Sequence, residues 1–226
     1  MPAALYPPNT KLIQASKRNP SAAPVEEIAE YLLCGTCEGL FNRNGESYAL
    51  RWIAPKIVKS KEREIPLLTL IDAATPFHTF DDVGHFRSAD LNLDMDQFAY
   101  FAVSVVWRAS ARVWRLTGGR PSERIDLSGY ATALRQYLLG RSLLPQTVAV
   151  TATVCTDRFS RERWFTPTES RDYGCRSFPL LTFGVGFRTW IGHNIPGKIR
   201  DACCIRSADR PILRTHCDDQ TARVMD

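Results

Sequence analysis

Leu32-Leu33-Cys34-Gly35-Thr36-Cys37-Glu38-Gly39-Leu40-Phe41-Asn42 is the stretch that decides how the chain is read. A Cys-x-x-Cys knuckle can present both thiolates to one zinc ion. Zinc asks for about four ligands, and the pair supplies two. No second Cys-x-x-Cys occurs in the sequence. The pair is therefore half of a metal site or two merely reduced thiols. A redox dithiol is a third option, but the strand–helix pattern and the aromatic and proline context of such motifs are missing around it.

Upstream, residues 9–24 are polar and basic, with Lys11, Lys17 and Arg18, and read as a loop with a short strand at Lys11–Gln14. Val25–Leu33 suits helix and extended structure equally. Residues 1–8 carry Leu5, Tyr6 and three prolines, a composition suited to packing rather than to a free chain start. Downstream, Leu40, Phe41, Tyr48, Leu50, Trp52 and Ile53 predict a helix over Glu38–Ile53, with Gly45 as its weak point.

Ile57–Arg63 is basic, whereas residues 72–96 are rich in Asp, hold His78 and His85, and show little periodicity. They read as an acidic connector. Phe98, Phe101, Ala102, Val105, Val106, Ala109 and Val113 recur at helical spacing and predict a helix over Asp94–Arg115, capped by Asp94 or Asp96. A second helix is expected over Leu127–Leu139, stopped by Gly140. Gln146–Cys155 alternates Thr or Ala with Val and reads as a strand. Phe178–Ile191 reads as two strands or one bulged strand around Gly184 and Gly186. Ile195–Cys203 suits a short helix and Pro211–Thr215 a closing strand.

The chain has 226 residues, 44% hydrophobic and 23% charged, ample for a globular core, with a net charge of +5 that permits a polyanionic partner without demanding one. No run of about 18 apolar residues suggests a membrane span. No charged n-region and apolar h-region mark the N-terminus, so the expected location is cytoplasmic and the seven cysteines are expected reduced.

Tyr31-Leu32-Leu33-Cys34-x-x-Cys37-Glu38 resembles the second zinc knuckle of HNH-type nucleases, the ββα-metal, treble-clef family. The blocks Pro2-Ala3-Ala4-Leu5-Tyr6, Phe41-Asn42, Gly45-Glu46 and Tyr100-Phe101-Ala102-Val103-Ser104-Val105-Val106-Trp107-Arg108-Ala109-Ser110 are similar, more closely, to an uncharacterised group of bacterial HNH-like proteins. In that pattern a first Cys-x-x-Cys and a catalytic His precede Pro-Ala-Ala-Leu-Tyr. Here Met1 stands directly before Pro2. The resemblance thus leads one to expect either a longer frame that carries the missing ligands and general base, which the packing-type composition of residues 1–8 favours, or a complete chain that has lost the nuclease chemistry.

From the resemblance, Cys34 and Cys37 would hold Zn2+. Glu38, with Asn42 one turn later, would face the catalytic position, where a carboxylate can ligate Mg2+. The bland reading of Glu38 is electrostatic support of a helix N-terminus. Arg108, Arg112 and Arg115 share one face of the long helix and are candidate phosphate contacts, with Arg120 and Arg124 beyond. A solvated face pairing with the acidic connector accounts for them equally well. Arg158, Arg161 and Arg163 beside Phe159, Trp164 and Phe165 form a second basic–aromatic cluster. Cys203, Cys204, His216 and Cys217 are the remaining donors that could complete a zinc site. His78 with Asp81 and Asp82 could take a metal, and His193 reads as a turn residue.

The expected fold is α+β. An incomplete treble-clef module at 1–63 leads through an acidic connector at 64–96 to an α+β body at 97–226, either packed with the module or separate from it. The expected function is DNA binding by an HNH-like zinc-knuckle protein, a metal-dependent endonuclease in a complete form and inactive as this chain. The alternative is a non-catalytic domain with a relic knuckle that contacts a protein partner or a second copy.

Overall fold

A computed structural model describes residues 11–14, 21–24, 33–57, 63–111, 125–157, 160, 164–165, 167–205 and 209–215. β1 (Lys11–Gln14) and β2 (Ser21–Pro24) pair antiparallel as a separate two-stranded sheet. Then α1 (Gly35–Phe41), a π-helical turn (Asn42–Glu46) and α2 (Ser47–Ile53) run on as one helical rod. A two-residue ladder of β3 (Lys56–Ile57) and β4 (Arg63–Glu64) leads to α3 (Pro66–Ala73), which opens on proline, the residue that loses least at that position.

The acidic connector is not a connector. His78–Phe80 (β5) and Val83–Arg87 (β6) form a hairpin that begins the main sheet. Asp81 and Asp82, both at positive φ, make its two-residue turn. Phe86, Leu91 and Leu93 of the same region enter the core. Short strands with few apolar positions give no periodic signal, which is why composition alone misjudged it.

α4 (Met95–Ala111) is the central helix. Asp94 caps it as expected: Oδ1 accepts from the amides of Asp96 and Gln97, and the Gln97 side chain donates back to Oδ2. α5 (Tyr130–Leu138) packs beside it and ends at Gly140, whose φ of +68° supplies the left-handed stop.

The sheet runs in the order β5-β6-β12-β7-β11-β10-β8, using β7 (Val148–Cys155), β8 (Trp164–Phe165), β10 (Cys175–Thr182), β11 (Val185–Ile191) and β12 (Pro211–Thr215). β9 (Ser170–Asp172) pairs with the other end of β10. All ladders are antiparallel except β12 with β7. Phe178–Ile191 resolves into two strands, because Phe183 and Gly184 both take positive φ and close a tight hairpin. The C-terminal strand does not close an edge: it inserts between β6 and β7.

β7 is buried along nearly its whole length because both faces are covered. Val148, Val150, Ala152 and Val154 face the large core, where α4 crosses and Phe98 and Phe101 each meet Phe187 at 5.8 Å. On the other side Ala149 joins Cys175, Trp190, Ile195, Ile199 and Cys203 under α6 (Gly197–Asp201). The large core runs without a break from Phe41 to Ile212, so the α1–α2 rod, the hairpin and the body share it. The α+β class expected from sequence is what the chain adopts, with helices first and the β-rich part last.

Candidate metal centre

Cys34 is the N-cap of α1, in extended conformation, and its carbonyl accepts the first helical bond from Glu38 at 2.9 Å. The knuckle therefore ends in a helix, and both thiols stand at its start. Cys34 is exposed and Cys37 half-buried. The Cys37 amide, then the Cys37 thiol, hold the Cys34 thiol below its ordinary range. The Cys34 side chain makes no cap hydrogen bond on α1. Cys37 moves the other way, since interaction with Cys34 favours its protonated form. The asymmetry makes Cys34 the first of the two thiols to ionise.

Two thiols fit two of zinc's four positions, and their place at a helix start suits a knuckle. No third ligand joins them: among the described residues no group of three or more His, Cys, Asp or Glu comes together. Cys203 and Cys204 are fully buried and engaged with the backbone of Val150, as acceptor at 3.4 Å and donor at 3.0 Å respectively. Burial pushes the Cys204 thiol well up, which disfavours the thiolate a metal needs. Cys203 and Cys204 are core residues, not zinc donors. His216 and Cys217 lie outside the described residues. Cys155 is disulfide-bonded, against the expectation of seven reduced cysteines. A disulfide depends on which thiols the fold brings within bonding reach, which spacing in the chain does not give.

Glu38 is exposed in the first turn of α1, and Asn42 is exposed one turn on, its amide bonded to the Glu38 carbonyl. The Asn42 side chain accepts from the Ser47 hydroxyl at 2.5 Å. The two residues lie one turn apart, as expected.

Arg108 is not a phosphate contact. It is 8% exposed and donates to both carboxylate oxygens of Glu46, at 3.1 and 3.0 Å, with its guanidinium 5.3 Å from the centre of the Phe41 ring. The face of α4 that carries it is turned to the α1–α2 rod, not to solvent. Arg112, Arg115, Arg120, Arg124, Arg158, Arg161 and Arg163 lie outside the described residues. His193 occupies an exposed turn after β11, as expected.

His78 and Asp81/Asp82 do not converge, and among the described residues they form no metal-binding group. His78 instead stands opposite His85 across the hairpin. Sequence reading missed this partnership because it needs the strand register. The Asp-Asp turn between two short β-prone runs was the signal that could have found it.

No protein-family model, no curated protein and no solved structure matches the chain. Among the described residues no helix is long and apolar enough to cross a membrane.

Proposed function

We propose that the chain is an HNH-like zinc-knuckle protein that binds DNA and does not itself cut it. One observation carries this reading: Cys34 and Cys37 stand together at the start of a helix that follows a β-hairpin in the chain, the order of a ββα unit. They would hold Zn2+ together with two ligands from outside the described residues. Glu38 and Asn42 offer oxygens one turn apart, where Mg2+ would sit in a complete form that also supplies the general base. The phosphate contacts would fall to Arg112 and Arg115, since Arg108 is committed to Glu46.

Zinc content of the purified chain tests the knuckle: bound zinc is expected, and its loss in Cys34→Ser and Cys37→Ser. Fluorescence anisotropy on duplex DNA across a salt series tests the partner. Replacing Arg112 and Arg115 by Ala should flatten the slope of log affinity against log salt by about 0.9 for each phosphate that is no longer neutralised. An absence of salt-dependent binding would discard DNA as the partner.

A second reading, a protein-interaction domain with a relic knuckle and a second copy or other protein as partner, gains support from the burial of Arg108, which removes one member of the basic stripe. It predicts neither zinc retention nor a salt-dependent DNA complex.

A further inference from the structure

We infer that His78 and His85 form a two-imidazole site for a borderline divalent transition ion, of the Ni2+, Cu2+ or Zn2+ class, on the edge hairpin of the main sheet. The β5–β6 register sets the two residues directly opposite each other. Directly opposed side chains leave the same face of a sheet with their Cβ atoms close. The ring centroids are 5.6 Å apart and the ring planes 63° apart. With metal–nitrogen bonds of about 2.0–2.1 Å, two imidazoles on one tetrahedral or square ion have centroids roughly 4.5–5.2 Å apart. A small rotation of the exposed His78 ring closes the difference, while His85 keeps its place against the edge of Phe77 at 6.2 Å.

The surroundings suit a cation. Neither imidazole has a hydrogen-bond or ion-pair partner among the described residues, so both have a nitrogen to offer. Burial, and second the neighbouring His78, draw the His85 imidazole below its ordinary value, so protons compete less for it. Arg87, two residues after His85 on β6, is stacked on Phe77 at 4.5 Å and paired with Asp209 at 3.5 Å. Asp81 and Asp82 at the hairpin tip add negative potential without reaching the site. Imidazole nitrogen selects this class of ion over Mg2+ or Ca2+, and solvent would fill the remaining positions. The site is separate from the Cys34–Cys37 knuckle and does not depend on its reading.

Calorimetric titration of the metal-free full chain with Ni2+ tests the assignment, because the sequence holds only four histidines. Losing a residue that merely orients a ligand costs about 10–100-fold in metal affinity, and losing a ligand costs at least as much. His78→Asn and His85→Asn are each expected to weaken Ni2+ binding at least about tenfold. His193→Asn is expected to leave it unchanged. Cys34→Ser/Cys37→Ser is expected to remove only Ni2+ taken up by the thiols and to keep the equivalent that depends on His78 and His85. In that cysteine-free background, binding that survives either hairpin variant, or no binding before the histidines are replaced, would overturn the proposal. NMR of the unmodified chain gives a reading independent of mutant folding: substoichiometric Ni2+ should broaden the His78 and His85 ring protons together and spare His193. Broadening of one ring alone would also overturn it.

Discussion

Arg108 donates to both carboxylate oxygens of Glu46 across 62 residues of sequence, and the pair lies almost wholly out of water. The π-helical turn at Asn42–Glu46 places the glutamate there. A buried pair of this kind earns little net stability against an apolar substitute, yet leaving one charge unpaired is costly. Arg108→Met is therefore expected to destabilise the chain by about 3–5 kcal/mol in urea unfolding. Adding Glu46→Leu should recover most of that loss. If the double variant were no more stable than Arg108→Met, the charges would not be coupled.

Gly45 lies in the same turn for a steric reason. A Cβ there would stand 2.7 Å from the Gln97 carbonyl oxygen, 2.9 Å from the Phe101 amide nitrogen and 2.9 Å from the Tyr100 ring. Two of these are backbone atoms of α4 that cannot step aside. Gly45→Ala should cost about 1–3 kcal/mol. Gly39→Ala meets only the mobile end of Arg43 at 3.3 Å and should gain about 0.5–1 kcal/mol from helix propensity. Urea midpoints moving in opposite directions would confirm that the rod is held against α4 at Gly45.

These two residues show where sequence reading stops. The α4 stripe, its Asp94 cap, the Gly140 stop and the β7 alternation were legible because each is written within one element. Gly45 was read as a weak point and Arg108 as a surface cation, because their roles depend on a helix crossing that brings distant segments together. The same holds for β12, a sound strand prediction whose central, parallel position no local pattern specifies. Of the candidate site, the position of Cys34 and Cys37 at a helix start was legible. The seclusion of Cys203 and Cys204 and the His78–His85 register were not.

The two knuckle thiols should differ in reactivity. In the metal-free chain at neutral pH, the lowered Cys34 thiol carries more thiolate than Cys37, whose value is raised. Iodoacetamide should label Cys34 first, and Cys37→Ala should slow that labelling by removing one of the groups that stabilise the thiolate. Cys175, Cys203 and Cys204 should stay unlabelled until the chain unfolds, because they are buried. Peptide mass spectrometry over time reads all five. Equal rates at Cys34 and Cys37 would contradict the asymmetry, and zinc bound at the knuckle should protect both.

Alkaline pH should loosen the α4–α5 contact. Tyr100 and Tyr137 stand 5.7 Å apart there, and the Tyr100 hydroxyl donates to the Leu138 carbonyl at 2.5 Å. Burial is the main cause that raises both phenols above their ordinary value, that of Tyr137 strongly. In the unfolded chain each phenol ionises near about pH 10. A folded-state value above the unfolded one means that the unfolded chain releases its protons first as pH rises. The stabilisation is therefore fully present below about pH 10 and declines through the interval up to the folded-state values. Urea midpoints should be flat across this part of the range until about pH 10 and then fall. Tyr137→Phe removes the stronger of the two linkages and should make that fall shallower, whereas Tyr100→Phe also loses the bond to Leu138 and should lower the midpoint at every pH. An unchanged alkaline slope in Tyr137→Phe would mean that its phenol is not held neutral by the α4–α5 packing.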